Sequence, residues 1–393
     1  MVRIALVSTY SPRLGGAATF AGQLGHVTGH REVVALHPVE QTGPYPNEVH
    51  HRIRRDERSD YVRVARSLGS CVDVVAIQFE SGIWGGDDGD AVLDFVGALD
   101  VPALVTLHSI ASQPTQHQRT TVSQLIDSAH ATVVMSQSAS TLLATDYGVA
   151  SGTPVVIPHG VPRVPLVDPQ TIKPALGLTG RDVILSFGFM EPSKGYELAI
   201  DALPAVVAAH PSALYAIVGA TGSDTKQRAG EAYRESLVSR VRDLGLTDHV
   251  RFVDSFVGHS ELTRWLEAAD VFVSPYTDVE PTVSGPLAYA MGAGRAIVAT
   301  PYAYAQELLA DGRGVIVSNR STVQFAAALN RLLDDDDARR EFGRLAYEYS
   351  RPMIWSEVGA AYERLSARVV GESQRAASRA PSFRRAVNQQ RGP

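Results

Sequence analysis

Short apolar runs recur along this chain, each followed by a glycine-rich or polar turn and then by a stretch with helical spacing. Residues 4–7, 33–36, 72–78, 102–107 and 131–135 form one such series, which closes with 155–161. The pattern restarts at 183–187, 214–218, 250–253, 271–273 and 297–299. Apolar runs without polar alternation suit strands buried on both faces, and strands alternating with helices call for a parallel sheet covered on both sides. Two successive series therefore predict an α/β chain of two doubly wound parallel-sheet domains, with a cleft between their facing strand ends.

A chain of 393 residues has room for both domains and a sizeable core. The segment 161–174, rich in proline, valine and aspartate, reads as a linker. This places the domains at 1–162 and 175–350, with a helix at 351–370 and a basic tail at 371–393. The tail carries Arg375, Arg379, Arg384, Arg385 and Arg391 against Glu372, and reads as flexible or as a docking segment for an acidic surface or membrane. A net charge of −6 gives no reason to expect a nucleic-acid partner. Cys71 is the sole cysteine, so neither an intrachain disulfide nor a cysteine metal cluster is expected. No apolar run approaches the ~20 residues of a membrane span. The first apolar run is too short for a secretion signal, so the expectation is a cytoplasmic protein, monomeric or homodimeric.

The most informative stretch is 270–301. A strand at 271–273 leads into a polar loop with Asp278 and Glu280, after which Ser284 is a good N-cap and Pro286 suits a first helical turn. Backbone N–H groups at Ser284 and Gly285, with the helix dipole behind them, would suit a diphosphate. Glu280 could accept hydrogen bonds from sugar hydroxyls. An ordinary strand–loop–helix with a capping serine has the same pattern. Gly15-Gly16, between the first strand and its helix, is either a tight turn or a place where backbone approaches a ligand. His108 ends the 102–107 run, at the ligand edge of such a sheet; a structural histidine is the other reading. Ser136-Gln137-Ser138 is a second candidate anion-binding helix start. The loop 79–90 holds Glu80, an exposed-looking Trp84, and Asp87, Asp88 and Asp90. It lacks the spacing of a calcium loop, so it reads as a solvated loop capping the next helix, and no metal site is expected.

In combination these features resemble the retaining glycosyltransferases of the GT-B fold, family 4. The features are Gly15-Gly16, His108, the IPHGV at 157–161, Gly188 with Lys194-Gly195, the Glu280 loop with AMGAG, and Pro301 with Glu307. The likeness covers roughly residues 1–370. It implies transfer of a sugar from a nucleotide-sugar to an acceptor hydroxyl of a glycan or glycoconjugate, with retention. It also implies a nucleotide-binding second domain and a helix from Trp355 that crosses back onto the first. Residue by residue, Lys194 matches the lysine that neutralises the donor diphosphate, and Gly15 and Gly16 the glycine loop over the phosphates. His108 matches the histidine near the donor sugar, and Glu280 the first glutamate of E-x7-E. Ser284 and Gly285 match the helix start that meets phosphate or sugar oxygens. Glu80, Trp84, His117 and Arg119 stand on the acceptor side. The chain departs from the family twice. Phe189 follows Gly188 where the family usually has arginine, and the second glutamate is absent: counting from Glu280 puts Ala288 in its place, and setting the register by AMGAG puts Tyr289 there.

The loop QFESGIWGG and the segment 280–307 resemble a bacterial subgroup associated with mannose-containing glycans, which favours GDP-mannose as donor over a UDP-sugar. A front-face mechanism needs no nucleophile–base pair and no catalytic metal: Lys194 and backbone N–H groups carry the charge that leaves with the nucleotide. Other readings are glucosyl or N-acetylglucosaminyl transfer from a UDP-sugar, nucleotide-sugar epimerisation, and a non-catalytic scaffold subunit on the same fold. A phosphorylase would need a pyridoxal-bearing lysine late in the chain, and after Lys194 there is only Lys226.

Overall fold

In the computed structural model, residues 2–29, 32–38, 44–277, 283–318 and 321–379 are described. The first sheet is built from β1 (Ile4–Ser8), β2 (Glu32–His37), β3 (Val49–Arg54), β4 (Val74–Phe79), β5 (Ala103–Leu107), β6 (Ala131–Val134) and β7 (Pro154–Val156). Its order is β3-β2-β1-β4-β5-β6-β7, with every neighbour parallel. The second comprises β8 (Asp182–Phe187), β9 (Ala213–Val218), β10 (Val250–Val253), β11 (Val271–Ser274), β12 (Ala296–Ala299) and β13 (Val315–Ile316), in the order β10-β9-β8-β11-β12-β13, again parallel. Both are doubly wound sheets in which strand order reverses beside the first strand, as the sequence pattern predicts.

The apolar runs are continuous because each strand feeds two cores. In β1, Ala5 and Val7 face one helix layer while Ile4 and Leu6 face the other. In β11, Phe272 points to one side and Val271 and Val273 to the other. This is the period-2 geometry of a strand buried on both faces.

The chain passes between the domains a second time at its end. The helix Trp355–Arg379 lies on the first domain, with Trp355, Val358, Tyr362, Leu365 and Val369 packed among Phe20, Leu24 and the first sheet. Their spacing is that of one helical stripe, and each such burial is worth roughly 2 kcal/mol. Gly359 lets the helix come close: a Cβ there would stand 2.7 Å from Val27 Cγ2. Tyr362 Oη meets Thr106 Oγ1 at 2.9 Å inside the core. The helix runs past its expected end at residue 370 to Arg379, so the first part of the basic tail is helical; residues 380–393 lie outside the described ones.

The two passages between domains touch. Val161 N donates to Met353 O at 2.8 Å, and Trp355 N donates to Val161 O at 3.0 Å. The segment between the sheets is less plain than its sequence suggests. It holds the short helix Pro169–Ile172 and a 3-10 turn at Lys173–Leu176, and Lys173 is completely buried. Among the described residues no helix is long and apolar enough to cross a membrane.

Candidate functional site

The carboxyl ends of the two sheets face each other across a cleft of about 700 Å³. Gly15, Gly16, Glu80 and His108 line it from the first domain, and Gly188, Lys194, Ser284, Gly285 and Tyr289 from the second. Glu280 lies outside the described residues.

Gly15 is the N-cap of the helix Gly16–Thr28 and offers no side chain to close its first turn. A Cβ at Gly15 or Gly16 would meet no protein atom within 4 Å. Protein packing therefore does not demand glycine at either position.

His108 follows β5. Its Nε2 lies 2.8 Å from Gln78 Oε1, and its ring stands edge-on to Phe20. Donation from Nε2 to that amide oxygen leaves Nδ1 as an acceptor. Burial, with a smaller contribution from neighbouring His159, pulls the His108 pKa down to about 3. His159 is likewise held down to about 4 by burial, and its Nδ1 donates to Gly160 O at 2.7 Å. Both rings are neutral acceptors at neutral pH.

Lys194 ends the turn Pro192–Lys194, and Gly195 follows with φ +60°, where a Cβ would fall 2.2 Å from Pro275 O. Only glycine fits that position. The Lys194 ammonium stands 4.3 Å from the centre of the Tyr276 ring. Tyr276 Oη meets Ser284 Oγ at 3.1 Å, and Ser284 accepts from Leu287 N as cap of the helix Gly285–Gly292. A cation and a helix amino terminus are thus tied through one tyrosine, an arrangement suited to a diphosphate. Gly188, φ +133°, lies beneath them at the end of β8.

Phe189 does not supply a charge; its ring pairs with Phe256 at 6.0 Å on the cleft wall. Arg13, from the glycine loop, is the arginine lining the cleft. The hydroxyl of Tyr289 accepts from Trp355 Nε1 at 3.2 Å.

The acceptor-side residues divide. Glu80 lines the cleft. Trp84, expected to be exposed, is wholly buried: its indole donates to Gln78 O at 2.9 Å and stacks on Tyr61. The glycine-rich loop folds inward because an aromatic ring with a satisfiable N–H gains more from the core than from water. His117 and Arg119 lie off the cleft, the first donating to Asp87 O at 3.1 Å and the second above the Tyr147 ring. In the acidic loop Asp90 pairs with Arg58, which also holds Asp94 of the following helix, and Asp88 accepts from Gln118. No group of metal-binding side chains forms among the described residues. The helix start at Ser136–Ser138 is filled by the carboxylate of Glu307. Sequence reasoning missed His159, Arg13, Tyr276 and Phe256. His159 carried the same signal as His108, a histidine just beyond a strand end.

Residues 181–335 match the family model of the group 1 glycosyl transferases. The chain is 30% identical over 219 residues to the phosphatidyl-myo-inositol mannosyltransferase of Mycolicibacterium smegmatis, covering 55% of this chain and 52% of that protein. It is 26% identical over 277 residues to the D-inositol 3-phosphate glycosyltransferase of Corynebacterium diphtheriae, covering 65% and 63%. The chain thus spans between about half and just under two-thirds of these relatives' lengths. Among solved structures, Anabaena HepE in complex with UDP superposes with a TM-score of 0.74 at 18% identity, over 93% of this chain and all of that one. Sucrose-phosphate synthase from Thermosynechococcus elongatus gives 0.75 at 19%, over 94% and 99%. The chain has the GT-B fold, and residues 181–335 of its second domain are similar to the group 1 glycosyl transferases.

Proposed function

We propose that this protein is a retaining glycosyltransferase that moves mannose from GDP-mannose to a hydroxyl of a glycan or glycoconjugate acceptor. The observation that carries this is the joining of Lys194 to the Gly285–Gly292 helix start through Tyr276, at the floor of an interdomain cleft. The mannosyltransferase relative at 30% identity supports the donor sugar. In this reading the diphosphate rests on Lys194 and the helix amino terminus, with Gly15-Gly16 over it and Arg13 as the second cation where Phe189 leaves none. Neutral His108 accepts from a hydroxyl of the donor sugar, and the Phe189–Phe256 pair offers ring faces to the base.

The bond from the anomeric carbon to the diphosphate oxygen breaks while the acceptor oxygen bonds to the same face. The acceptor's proton passes to the departing diphosphate oxygen. The enzyme's part is alignment and stabilisation of the leaving charge. Thermal shifts with GDP, UDP and ADP and their sugars, with and without EDTA, test the donor; stabilisation by the GDP series alone, unaffected by EDTA, is expected. An α-linked product by NMR tests retention. The HepE complex with UDP favours a second reading, transfer from a UDP-sugar; a shift with UDP alone would replace the first.

A further inference from the structure

The helix Gln137–Asp146 in the first domain begins at the carboxyl end of β6, and its first-turn donors are satisfied from two domains. Ser136 Oγ accepts from Ala139 N at 3.1 Å, as an ordinary N-cap. The other two N–H groups point across the domain boundary. Gln137 N donates to Glu307 Oε1 at 2.8 Å and Ser138 N to Glu307 Oε2 at 2.7 Å. Glu307 belongs to the helix Ala303–Leu308, which follows β12 of the second sheet. That helix is held in turn by Arg313, which donates to the carbonyls of Glu307 and Leu308.

We infer that Glu307 is an interdomain latch: a positioning residue whose carboxylate sets the opening of the cleft by completing the cap of a helix in the opposite domain. A carboxylate taking two parallel N–H groups at the positive end of a helix is fixed in direction as well as attracted. The Gln137–Asp146 helix starts just beyond the carboxyl end of β6 and the Ala303–Leu308 helix just beyond that of β12, so holding them together holds the cleft walls at one separation. When the contact breaks, water can take the place of either side. The latch can therefore release without leaving a buried orphan, as an element that opens and closes must.

The test uses the full chain and the variants Glu307→Ala and Glu307→Gln. The second is nearly isosteric but presents an NH2 to one of the two backbone donors. Amide exchange in the first turn of the Gln137–Asp146 helix should quicken by about tenfold. The radius of gyration by small-angle scattering should rise in the same variants. Ser136→Ala is the control: it removes the local cap, should quicken exchange at Ala139, and should leave the radius unchanged. Wild-type exchange and radius in both Glu307 variants would overturn the proposal, and so would faster exchange with an unchanged radius, which would make Glu307 a cap only. Affinity for the nucleotide that stabilises the wild type should fall about fivefold. Absence of any nucleotide binding by the wild type would count against the glycosyltransferase reading, while scattering and exchange would still decide the latch.

Discussion

The indole of Trp355 donates to the hydroxyl of Tyr289 at 3.2 Å, with both side chains buried. One residue starts the returning helix and the other lies on the Gly285–Gly292 helix that lines the cleft. The indole also lies over Gly160, where an added Cβ would fall 2.2 Å from Cδ2. Tyr289→Phe strands a buried N–H and should cost about 1–3 kcal/mol in urea unfolding. Gly160→Ala overpacks the same ring and should cost a comparable ~1–3 kcal/mol.

Lys194→Ala should lower turnover on the order of a hundredfold, about 3 kcal/mol of transition-state stabilisation, with an unchanged melting temperature. Steady-state kinetics beside a thermal melt check this; full turnover in the variant would sink the assignment. Gly195→Ala should lower both activity and melting temperature, since a Cβ would collide with Pro275 O.

His108 and His159 should make the fold acid-sensitive. Their folded pKa values, about 3 and about 4, lie below the ordinary 6.5. The unfolded chain therefore binds protons that the native state refuses. Stability is fully present above about pH 6.5 and falls as the pH drops toward 4, by about 1.4 kcal/mol per pH unit for each ring. Asp60, held well below the usual range chiefly by Arg54, stays charged through that window. Urea midpoints at pH 7 and pH 5 measure the slope, and His159→Gln should remove one ring's share of it.

Lys173 and Asp270 form a buried ion pair at 2.7 Å, and the carboxylate also accepts from Val183 N at 2.6 Å. Removing the ammonium alone, in Lys173→Ala, should cost about 3–5 kcal/mol. The double variant Lys173→Met with Asp270→Asn keeps an acceptor for Val183 and should recover most of that loss. A double variant no more stable than Lys173→Ala would refute the account.

Lys173 also shows where sequence reading stops. The apolar runs of β1 and β11 announced their strands because burial on both faces leaves a local signature. Lys173 has no such mark: it lies in a stretch without period, and its partner is ninety-seven positions away. The same division holds in the cleft. Ser284 was legible as a cap because a cap is a local event, whereas Lys194-Gly195 was singled out by the family likeness and not by a local pattern of its own. Trp84 was misread because its partners, Tyr61 and the Gln78 carbonyl, are set by how the loop folds back. Glu307 was visible as part of a motif, but not as the occupant of the Ser136–Ser138 helix start, since that depends on how two domains meet.

The hydrogen-bonded pairing of Val161 with Met353 and Trp355 gives the cleft a mechanical character. Two chain crossings fastened side by side act as a pinned joint. Rotation about the line through them deforms only a few backbone torsions, whereas sliding or swivelling would shear the fastening itself. The domains are left with essentially one soft degree of freedom, so opening should be recorded as a single concerted coordinate by any distance pair spanning the cleft.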